Sequence, residues 1–378
     1  MNTVVAAVAQ RGRVSFAEFM SLALYHPEAG YYTRQRLEAG PAGPGGDFLT
    51  APTTSPVFAR TLAHLLQALA TEIGSQLTFV ELGAGEGTLM QRLQATLRDD
   101  PAEAVRRFVA VETSAWARER LAIRCPRVET AARLSDLARP HGPVVLFASE
   151  LYDAFPVHRV TMRRHAGALA LAEFYVECDA DGRLQWTLGE PSTPEVERYL
   201  AEHGVMLEEG QVAELRPQVR AVHCQVLTWC GHDGVSLVLD YGYPARQLYN
   251  PRGRRAGSLV GYRAHALVSD VLGDPGEVDL TAHVNFDDLE NAGADAGWER
   301  GQLRPLGVFM TIHGAVGLLP AAASRGEPLS AEIWAELAAA KRLFSPTGMG
   351  SDLKVLAQGR GRTWQVYRRL ATPPPVDA

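Results

Sequence analysis

The most informative segment of the chain is Thr78-Phe-Val-Glu-Leu-Gly-Ala-Gly-Glu-Gly-Thr-Leu89. An apolar run typical of a buried strand leads into Gly83, Gly85 and Gly87, and leucines then recur every four residues, as on one face of a helix. Glycines let the backbone turn sharply and approach a ligand, and the first turn of a helix offers unpaired N–H groups. The segment therefore predicts a strand, a ligand-binding turn and a helix.

The acid before the glycines indicates which ligand this turn would bind. Glu81 lies two residues before Gly83, and the glycine spacing differs from the G-x-G-x-x-G pattern of dinucleotide-binding turns. A carboxylate repels a pyrophosphate but attracts an ammonium group. S-adenosylmethionine (SAM) carries an amine and a sulfonium, and E-x-G-x-G-x-G is the pattern of class I methyltransferases. We therefore expect Glu81, Gly83, Gly85 and Gly87 to bind SAM rather than NAD, with S-adenosylhomocysteine as the product.

A second apolar run ends in an acid and supplies a candidate partner for the ribose. Phe108-Val-Ala-Val-Glu112 follows the glycine turn at a distance of about 20 to 25 residues, which suits an acid that binds the ribose hydroxyls. We expect Glu112 and the adjacent Thr113 to contact the ribose. The alternative is an ordinary turn between a strand and a helix, in which both acids are simply solvated.

Length and composition predict a soluble globular protein with two or more structural units. The chain has 378 residues, 46% of them hydrophobic, which is enough for a large core. It shows neither an apolar run of about 18 residues nor a signal peptide pattern, so we expect no membrane span and a cytoplasmic location. The formal charge of −6 argues against nucleic acid as a partner, and the four cysteines match no usual zinc spacing.

A segment rich in glycine and proline precedes the first strand. Residues 38–56 contain too many of these residues for regular structure and are too long for a simple connector, whereas residues 1–25 and 57–73 have helical patterns. We expect a lid that closes over the methionine end of the cofactor. Its candidate cofactor contacts are Asp47, Phe48, Thr50 and Pro52.

Acids follow each of the predicted core strands. They are Glu81, Glu112, Glu150 and Asp240. Ligands of open α/β sheets bind beyond the carboxyl ends of the strands, so these acids should lie along one edge. The predicted fold class is therefore α/β, a class I SAM-dependent methyltransferase sheet of the Rossmann-like type.

The sequence predicts four parts along the chain, two of which form this core. A helical N-terminal region with the lid occupies residues 1–56, before the first part of the core at 57–156. An α+β insert at 157–233 is too long for an ordinary crossover, and we expect it to cap the pocket, select the substrate and end in a helix at 211–229. Residues 234–378 complete the core, with an additional insertion and a terminal hairpin.

Six ordered blocks resemble the MidA-like family of SAM-dependent methyltransferases over nearly the whole chain. The blocks are Leu24-Tyr-His-Pro-Glu-Ala-Gly-Tyr-Tyr32, Gly46-Asp-Phe-Leu-Thr-Ala-Pro52, Glu81-Leu-Gly-Ala-Gly-Glu-Gly87, Glu150-Leu-Tyr-Asp-Ala-Phe-Pro-Val-His158, Asp240-Tyr-Gly242 and Asp279-Leu-Thr-Ala-His-Val284. Mitochondrial members of that family methylate an arginine of a respiratory complex I subunit and assist its assembly. The resemblance implies bound SAM and a protein substrate with an exposed arginine. A subunit of a respiratory complex is one candidate for that substrate. The resemblance is compatible with either a monomer or a homodimer.

Arginine methylation requires help from carboxylates, because a guanidinium is a poor nucleophile that hardly ever loses its proton. Glu150 and Asp153 are the candidates: they can bind the guanidinium and accept the released proton. The alternative is that both acids merely cap a helix. His265 and His283 are further candidates for a proton acceptor or a substrate contact, although a lone histidine is more often structural.

Two other functions remain open at this point. The first is methylation of a small molecule, which requires a closed pocket rather than a groove open to a peptide. The second is an assembly chaperone that binds SAM without turnover. The fold alone does not separate these functions from protein arginine methylation.

Overall fold

The computed structural model describes residues 2–34, 41, 46–47, 49–98, 103–320 and 329–372. Phe48, a predicted cofactor contact, lies outside the described residues. Among the described residues, every helix is too short or too polar to span a bilayer.

The strands are assigned in chain order. They are β1 (Val14–Ser15), β2 (Leu77–Leu82), β3 (Val105–Val111), β4 (Glu129–Ala131), β5 (Val144–Ser149), β6 (His158–His165), β7 (Ala168–Cys178), β8 (Leu184–Gly189), β9 (Val212–Leu215), β10 (Gly234–Tyr243), β11 (Val260–Arg263), β12 (Ala266–Val268), β13 (Asp279–Thr281), β14 (Val284–Asn285), β15 (Leu303–Pro305) and β16 (Leu353–Arg360).

The α-helices are numbered in the same way. They are α1 (Thr3–Arg11), α2 (Phe16–Tyr25), α3 (Ala51–Thr54), α4 (Pro56–Ile73), α5 (Thr88–Thr96), α6 (Ala115–Arg124), α7 (Pro194–Glu202), α8 (Pro217–Cys230), α9 (Ala245–Leu248), α10 (Phe286–Asp295), α11 (Leu306–Ile312), α12 (Ala331–Phe344), α13 (Met349–Asp352) and α14 (Gly361–Leu370).

The main sheet has the strand order β15-β16-β10-β5-β2-β3-β4, and the short β14 pairs with β10. Strands β4, β3, β2, β5 and β10 are parallel, whereas β16 runs antiparallel to both of its neighbours. Strand β15 therefore has the direction of β10. A parallel Rossmann-like sheet with one inserted antiparallel strand confirms the predicted fold class.

Helices cover both faces of this sheet, so its central strands β2, β5 and β10 are buried almost throughout. One core cluster contains buried residues of α4, α5 and α14, and a second contains buried residues of α8 and α10. Helix α4 has well-defined ends: Ser55 caps its N-terminus, Pro56 occupies the first turn, and Gly74 ends it in the left-handed conformation. The helix predicted at 57–73 is therefore observed almost as expected.

Two smaller sheets lie outside the main one. In the larger, β1 pairs with β7, which also pairs with β6 and β8, and β9 pairs with β6. The N-terminal region thus joins the insert through β1. The smaller sheet has the order β12-β11-β13, and its apolar residues pack with α1 and α2 in one cluster.

Two predicted elements differ from the structure. The helix expected at 211–229 begins only at Pro217, because residues 212–215 form strand β9 at the edge of the insert sheet. Helix α8 packs on the main sheet, so the strands that the insert contributes to the larger of the two smaller sheets lie between residues 158 and 215, and the domain boundaries 157–233 stay a prediction.

The predicted terminal hairpin is also wrong, because its second arm is helix α14. Trp364 and Val366 suggested the alternation of a strand. Trp364 and Tyr367 are also spaced for one helix face, and both are buried against the core that contains α4.

Removal of the Trp364 side chain from this terminal helix should destabilise the protein. Trp364 is 3% exposed, stacks on Tyr367 with ring centroids 5.5 Å apart, and donates a hydrogen bond to Glu299. We expect Trp364→Ala to lower the free energy of unfolding by about 3–5 kcal/mol. The control is Gln365→Ala at an exposed position of the same helix, expected within about 0.5 kcal/mol of wild type. Equal denaturant midpoints for the two variants would contradict the assigned packing.

Candidate active site

A cleft of about 1470 Å³ lies at the carboxyl ends of β2, β3 and β5. The predicted site residues that line it are Thr50, Pro52, Glu81, Gly83, Gly85, Glu112, Thr113 and Glu150. Those that do not are Asp47, Gly87, Asp153 and His265. The strand-end acids therefore do meet at one edge, although Asp240 is fully buried behind the cleft.

The three glycines of the turn have different functions. All have positive φ, of 67°, 52° and 80° for Gly83, Gly85 and Gly87, which side chains rarely adopt. A Cβ on Gly83 would lie 2.9 Å from Leu151, and one on Gly87 would lie 2.8 Å from Leu121, whereas one on Gly85 would meet no protein atom within 4 Å. Gly83 and Gly87 therefore permit close packing, and Gly85 leaves open the space in which a ligand would lie.

Glu112 shapes the turn as well as facing the cleft. Its carboxylate accepts hydrogen bonds from the backbone N–H of Gly85 at 2.9 Å and of Ser114 at 2.8 Å. Each oxygen keeps a further lone pair, so the same carboxylate can also accept a ribose hydroxyl. The predicted ribose contact is thus compatible with a structural role.

Glu81 provides the clearest test of whether the residues present suit SAM. Its side chain is 5% exposed, and one carboxylate oxygen has no hydrogen-bond partner among the described residues. Burial and the charge of Glu112 raise the pKa of Glu81 well above its usual range. An unsatisfied acid in a cleft is stabilised by a cation, so Glu81 fits the amino group of the cofactor.

Glu150 occupies a strained turn directly after β5. Its φ of 50° is unusual for a residue other than glycine. Its N–H donates to the carbonyl of Leu239 at 2.7 Å, and its carboxylate accepts from the N–H of Ala51 at 3.0 Å. Burial, reinforced by the charge of Asp153, raises the pKa of Glu150 to about 8. The carboxyl group is therefore held facing the cleft in surroundings that favour a positively charged partner.

Asp153 lies behind Glu150 rather than in the cleft. The side chain is buried, and this burial raises its pKa to about 6 despite the charge of Arg216. Arg216 donates to the carbonyl oxygens of Phe155, His283, Asp153 and Ala282, at 2.5–3.0 Å. Asp153 therefore belongs to the buried residues that support the Glu150 turn. The sequence had predicted that Asp153 lies in the pocket.

Two further supports of this turn were not predicted. The carboxylate of Asp240 accepts the N–H of Tyr152 at 2.9 Å, and the Tyr152 hydroxyl lies 2.7 Å from Nδ1 of His223. Burial lowers the pKa of His223 to about 4, so its ring is neutral. The Tyr152 hydroxyl can then donate to Nδ1, with Nε2 donating to Gln358 at 3.3 Å.

The lid residues reach the cleft unequally. Thr50 lines the cleft and caps the short helix α3, and Pro52 lines it beside the N–H group of Ala51 that holds Glu150. Asp47 instead connects different parts of the chain: it accepts hydrogen bonds from the Tyr31 hydroxyl at 2.8 Å and from the N–H of Ala264 at 2.9 Å. The contact of Asp47 with the cofactor stays a prediction.

Neither candidate histidine lines the cleft. His265 is exposed at the tip of the β11–β12 hairpin, where its N–H donates to the carbonyl of Asp47 at 2.8 Å. The ring of His283 lies 2.8 Å from Arg254, and burial together with that charge lowers its pKa to about 4. The placement of His265 gives no support to proton transfer, and its catalytic role stays a prediction.

Two tyrosines form part of the cleft wall. Tyr25 and Tyr32 line the cleft with stacked rings, their centroids 5.7 Å apart. The Tyr32 hydroxyl donates to Asp279 at 2.6 Å, and that of Tyr25 donates to the carbonyl of Ala154 at 3.0 Å. Both tyrosines lie in the first MidA-like block, but their hydrogen bonds join them to residues far along the chain, which the structure shows.

Comparison with known proteins identifies the class of this cleft. A family model described as putative S-adenosyl-L-methionine-dependent methyltransferase matches residues 57–303. The chain belongs to this family. A crystal structure from Burkholderia thailandensis that contains S-adenosyl-homocysteine is 28% identical, covers 94% of this chain and 92% of its own, and superposes with a TM-score of 0.79. A native structure from the same organism is 27% identical, with a TM-score of 0.77 and coverages of 94% and 91%. SAM is therefore the cofactor, as predicted from the glycine turn.

Curated relatives match about three quarters of the chain. The relative from Danio rerio, named protein arginine methyltransferase NDUFAF7, mitochondrial, is 24% identical over 75% of this chain and 69% of its own length. The homologue from Drosophila melanogaster is 26% identical over 74% and 67%. Both are named as mitochondrial proteins, and this finding overturns the cytoplasmic location expected from the sequence.

Substitution of Gly85 should block cofactor binding without unfolding the protein. Gly85→Val introduces a side chain into the space next to Glu112, and we expect SAM affinity to fall at least about tenfold in calorimetry, or about 1.4 kcal/mol. Gly74→Val is the matched control, because Gly74 also has a positive φ, of 68°, and room for a Cβ, but it ends α4 away from the cleft. Undiminished SAM binding by a folded Gly85→Val variant would refute the assigned role.

Proposed function

We propose that the protein transfers the methyl group of SAM to an arginine side chain of a protein client. The observation that carries this proposal is the Glu150 carboxyl group, which faces the cleft with Asp153 and Asp279 behind it. The charge of Arg216 lowers the pKa of Asp153, but the N–H groups of Arg216 donate to main-chain carbonyls. A guanidinium would balance the charge and present a fork of N–H donors to Glu150.

The names of the curated relatives support the same acceptor, since both are protein arginine methyltransferases. Their identity of 24–26% leaves the acceptor of this chain a proposal. The client that the family resemblance implies is a respiratory complex subunit.

The residues of the cleft would mainly position the acceptor. SAM, when bound, supplies an activated methyl group on a sulfonium. Glu150 binds the guanidinium and favours localisation of electron density on the nitrogen that attacks. As the bond from the nitrogen to the methyl carbon forms, the bond from that carbon to sulfur breaks and S-adenosylhomocysteine is the leaving group. The guanidino group loses a proton, which Glu150 can accept. Tyr25 and Tyr32 form an apolar wall that helps to exclude water.

The insert sheet would contribute to client selection from outside the cleft. Among the described residues, none between 158 and 215 lines the cleft, whereas Val222, Val226 and Trp229 of α8 do. Leu169, Trp186 and Met206 are exposed apolar side chains of the insert, with exposures of 47%, 36% and 90%. We therefore propose that this region contacts the folded part of the client, not the arginine itself.

Removal of the Glu150 charge should slow methyl transfer more than it weakens SAM binding. Glu150→Gln keeps the size of the side chain but loses a charge-assisted contact of about 1.5–3 kcal/mol, so turnover should fall tenfold to a hundredfold. Radiolabelled SAM with a degenerate peptide library containing one fixed arginine provides the assay, and a library with lysine in its place tests the acceptor.

Two variants accompany this measurement. Asp153→Asn should act in the same direction through the turn, whereas Glu129→Gln, an exposed acid paired with Arg107, should retain wild-type turnover. If Glu150→Gln retained wild-type turnover, Glu150 would have no role in methyl transfer, and the alternative that it only caps a helix would hold. A preference for small molecules over both libraries would replace the proposed function.

The reaction should become faster as the pH rises. Because the pKa of Glu150 is raised to about 8, the group is protonated below that pH and becomes a carboxylate above it. We expect kcat/KM for the arginine library to increase with an inflection at or below about 8, since the positive charge of the cofactor favours the carboxylate. The Glu150→Gln profile should lack this inflection. The same inflection in that variant would assign it to another group.

A further inference from the structure

Two basic side chains pack against one tyrosine near the cleft. Tyr243 ends β10, and the guanidinium carbon of Arg254 and the Nζ of Lys354 lie 4.1 Å and 4.6 Å from the centroid of its ring. The ring of His283 is 5.7 Å away. We refer to these four residues as the Tyr243 cluster. All are half-buried, so the two charges are accessible but only partly solvated.

The cluster carries two positive charges that form no ion pair with an acid of the described residues. No carboxylate oxygen among these residues lies within 4.0 Å of an Arg254 or Lys354 nitrogen, whereas the arginines of four other ion pairs have N–O distances of 2.7–2.9 Å. Arg254 contacts His283, and Lys354 donates to the carbonyl of Ser351 at 2.8 Å. Carbonyl oxygens and a neutral imidazole orient these cations without cancelling their charge.

His283 reports the resulting positive potential. Besides burial, the charges of Arg254, Arg216 and Lys354 lower its pKa to about 4. Burial lowers the pKa of Lys354, the charge of Asp352 opposes this shift, and Arg254 lowers the pKa further. This local excess occurs in a chain whose formal net charge is −6, so it does not follow from overall composition.

Sheet topology places the cluster next to the proposed acceptor site. Strand β10 lies between β5, which leads into Glu150, and β16, which carries Lys354. Ser149 is opposite Leu239, and Lys354 is opposite Asp240, so Glu150 and Lys354 flank the same end of β10. Neighbouring strands are about 4.8 Å apart. The cluster therefore lies on the same carboxyl edge as Glu150, on the side away from the glycine turn.

We propose that the Tyr243 cluster binds the carboxylate of an acidic residue close to the target arginine in the client. This inference rests on the proposed function, since it assigns a second contact to the same substrate. An extended peptide advances about 3.3 Å per residue, so an acid a few positions from the arginine can reach the cluster. The Arg254 fork suits a planar carboxylate, and Lys354 adds a second charge.

The test compares two arginine peptide libraries whose flanking positions carry either glutamate or glutamine. Arg254→Gln and Lys354→Gln should each raise KM for the glutamate library about three- to tenfold, while kcat and SAM affinity stay unchanged. KM for the glutamine library should not change. Arg255→Gln is the control, because Arg255 is an exposed neighbour paired with Glu208. A library with flanking phosphoserine tests the other source of negative charge.

Each outcome decides the proposal. Equal increases in KM for the glutamate and glutamine libraries would mean that Arg254 only supports Tyr243, and would overturn it. A lower KM for the phosphoserine library than for the glutamate library would overturn the carboxylate as the ligand of the cluster, in favour of a phosphate. If the wild-type enzyme methylates neither library but uses another acceptor, the proposed function fails together with this inference. Methylation of both libraries with equal KM removes this inference alone.

Discussion

The buried carboxylate of Asp240 is the group on which the arrangement of the active edge depends. It lies at the centre of the carboxyl end of the sheet, fully buried, and accepts hydrogen bonds from the N–H groups of Tyr152 and Tyr241. Burial, then the charges of Asp153 and Glu150, raise its pKa well above the usual range. Arg216 offsets part of this cost and joins the loops around it through main-chain carbonyls. Without the hydrogen bonds of Asp240 and Arg216, the strained turn of Glu150 would lack its support.

Local patterns predicted the strand, turn and helix between Thr78 and Leu89. Glu81, Gly85 and Glu112 line the cleft at the predicted strand ends, and their contacts with the cofactor stay predictions. Thr78 to Leu89 folds as expected because its apolar run is buried on both faces. The family resemblance added the acceptor chemistry, which no local pattern carried.

The support of the Glu150 turn could not be predicted in this way. Tyr152 and His223 are 71 residues apart, and His223 and Gln358 are 135 apart, so their pairing depends on the order of strands in the sheet. Asp153 was assigned to the pocket because its spacing from Glu150 fits a turn, yet the turn directs it inward. The two misassigned elements have the same cause: strand β9 and helix α14 are specified by partners far along the chain, in the insert sheet and in the core that contains α4.

The long separation of β5 and β10 along the chain affects how the enzyme folds. These strands are neighbours in the sheet, but the hydrogen bond that joins Tyr152 to Asp240 spans 88 residues. Contacts of this kind form slowly, because a long loop must close first. During synthesis the glycine turn can fold as soon as β2 and β3 are available, whereas the Glu150 turn waits for the insert and for β10. A nascent chain should therefore form its glycine turn before its Glu150 turn.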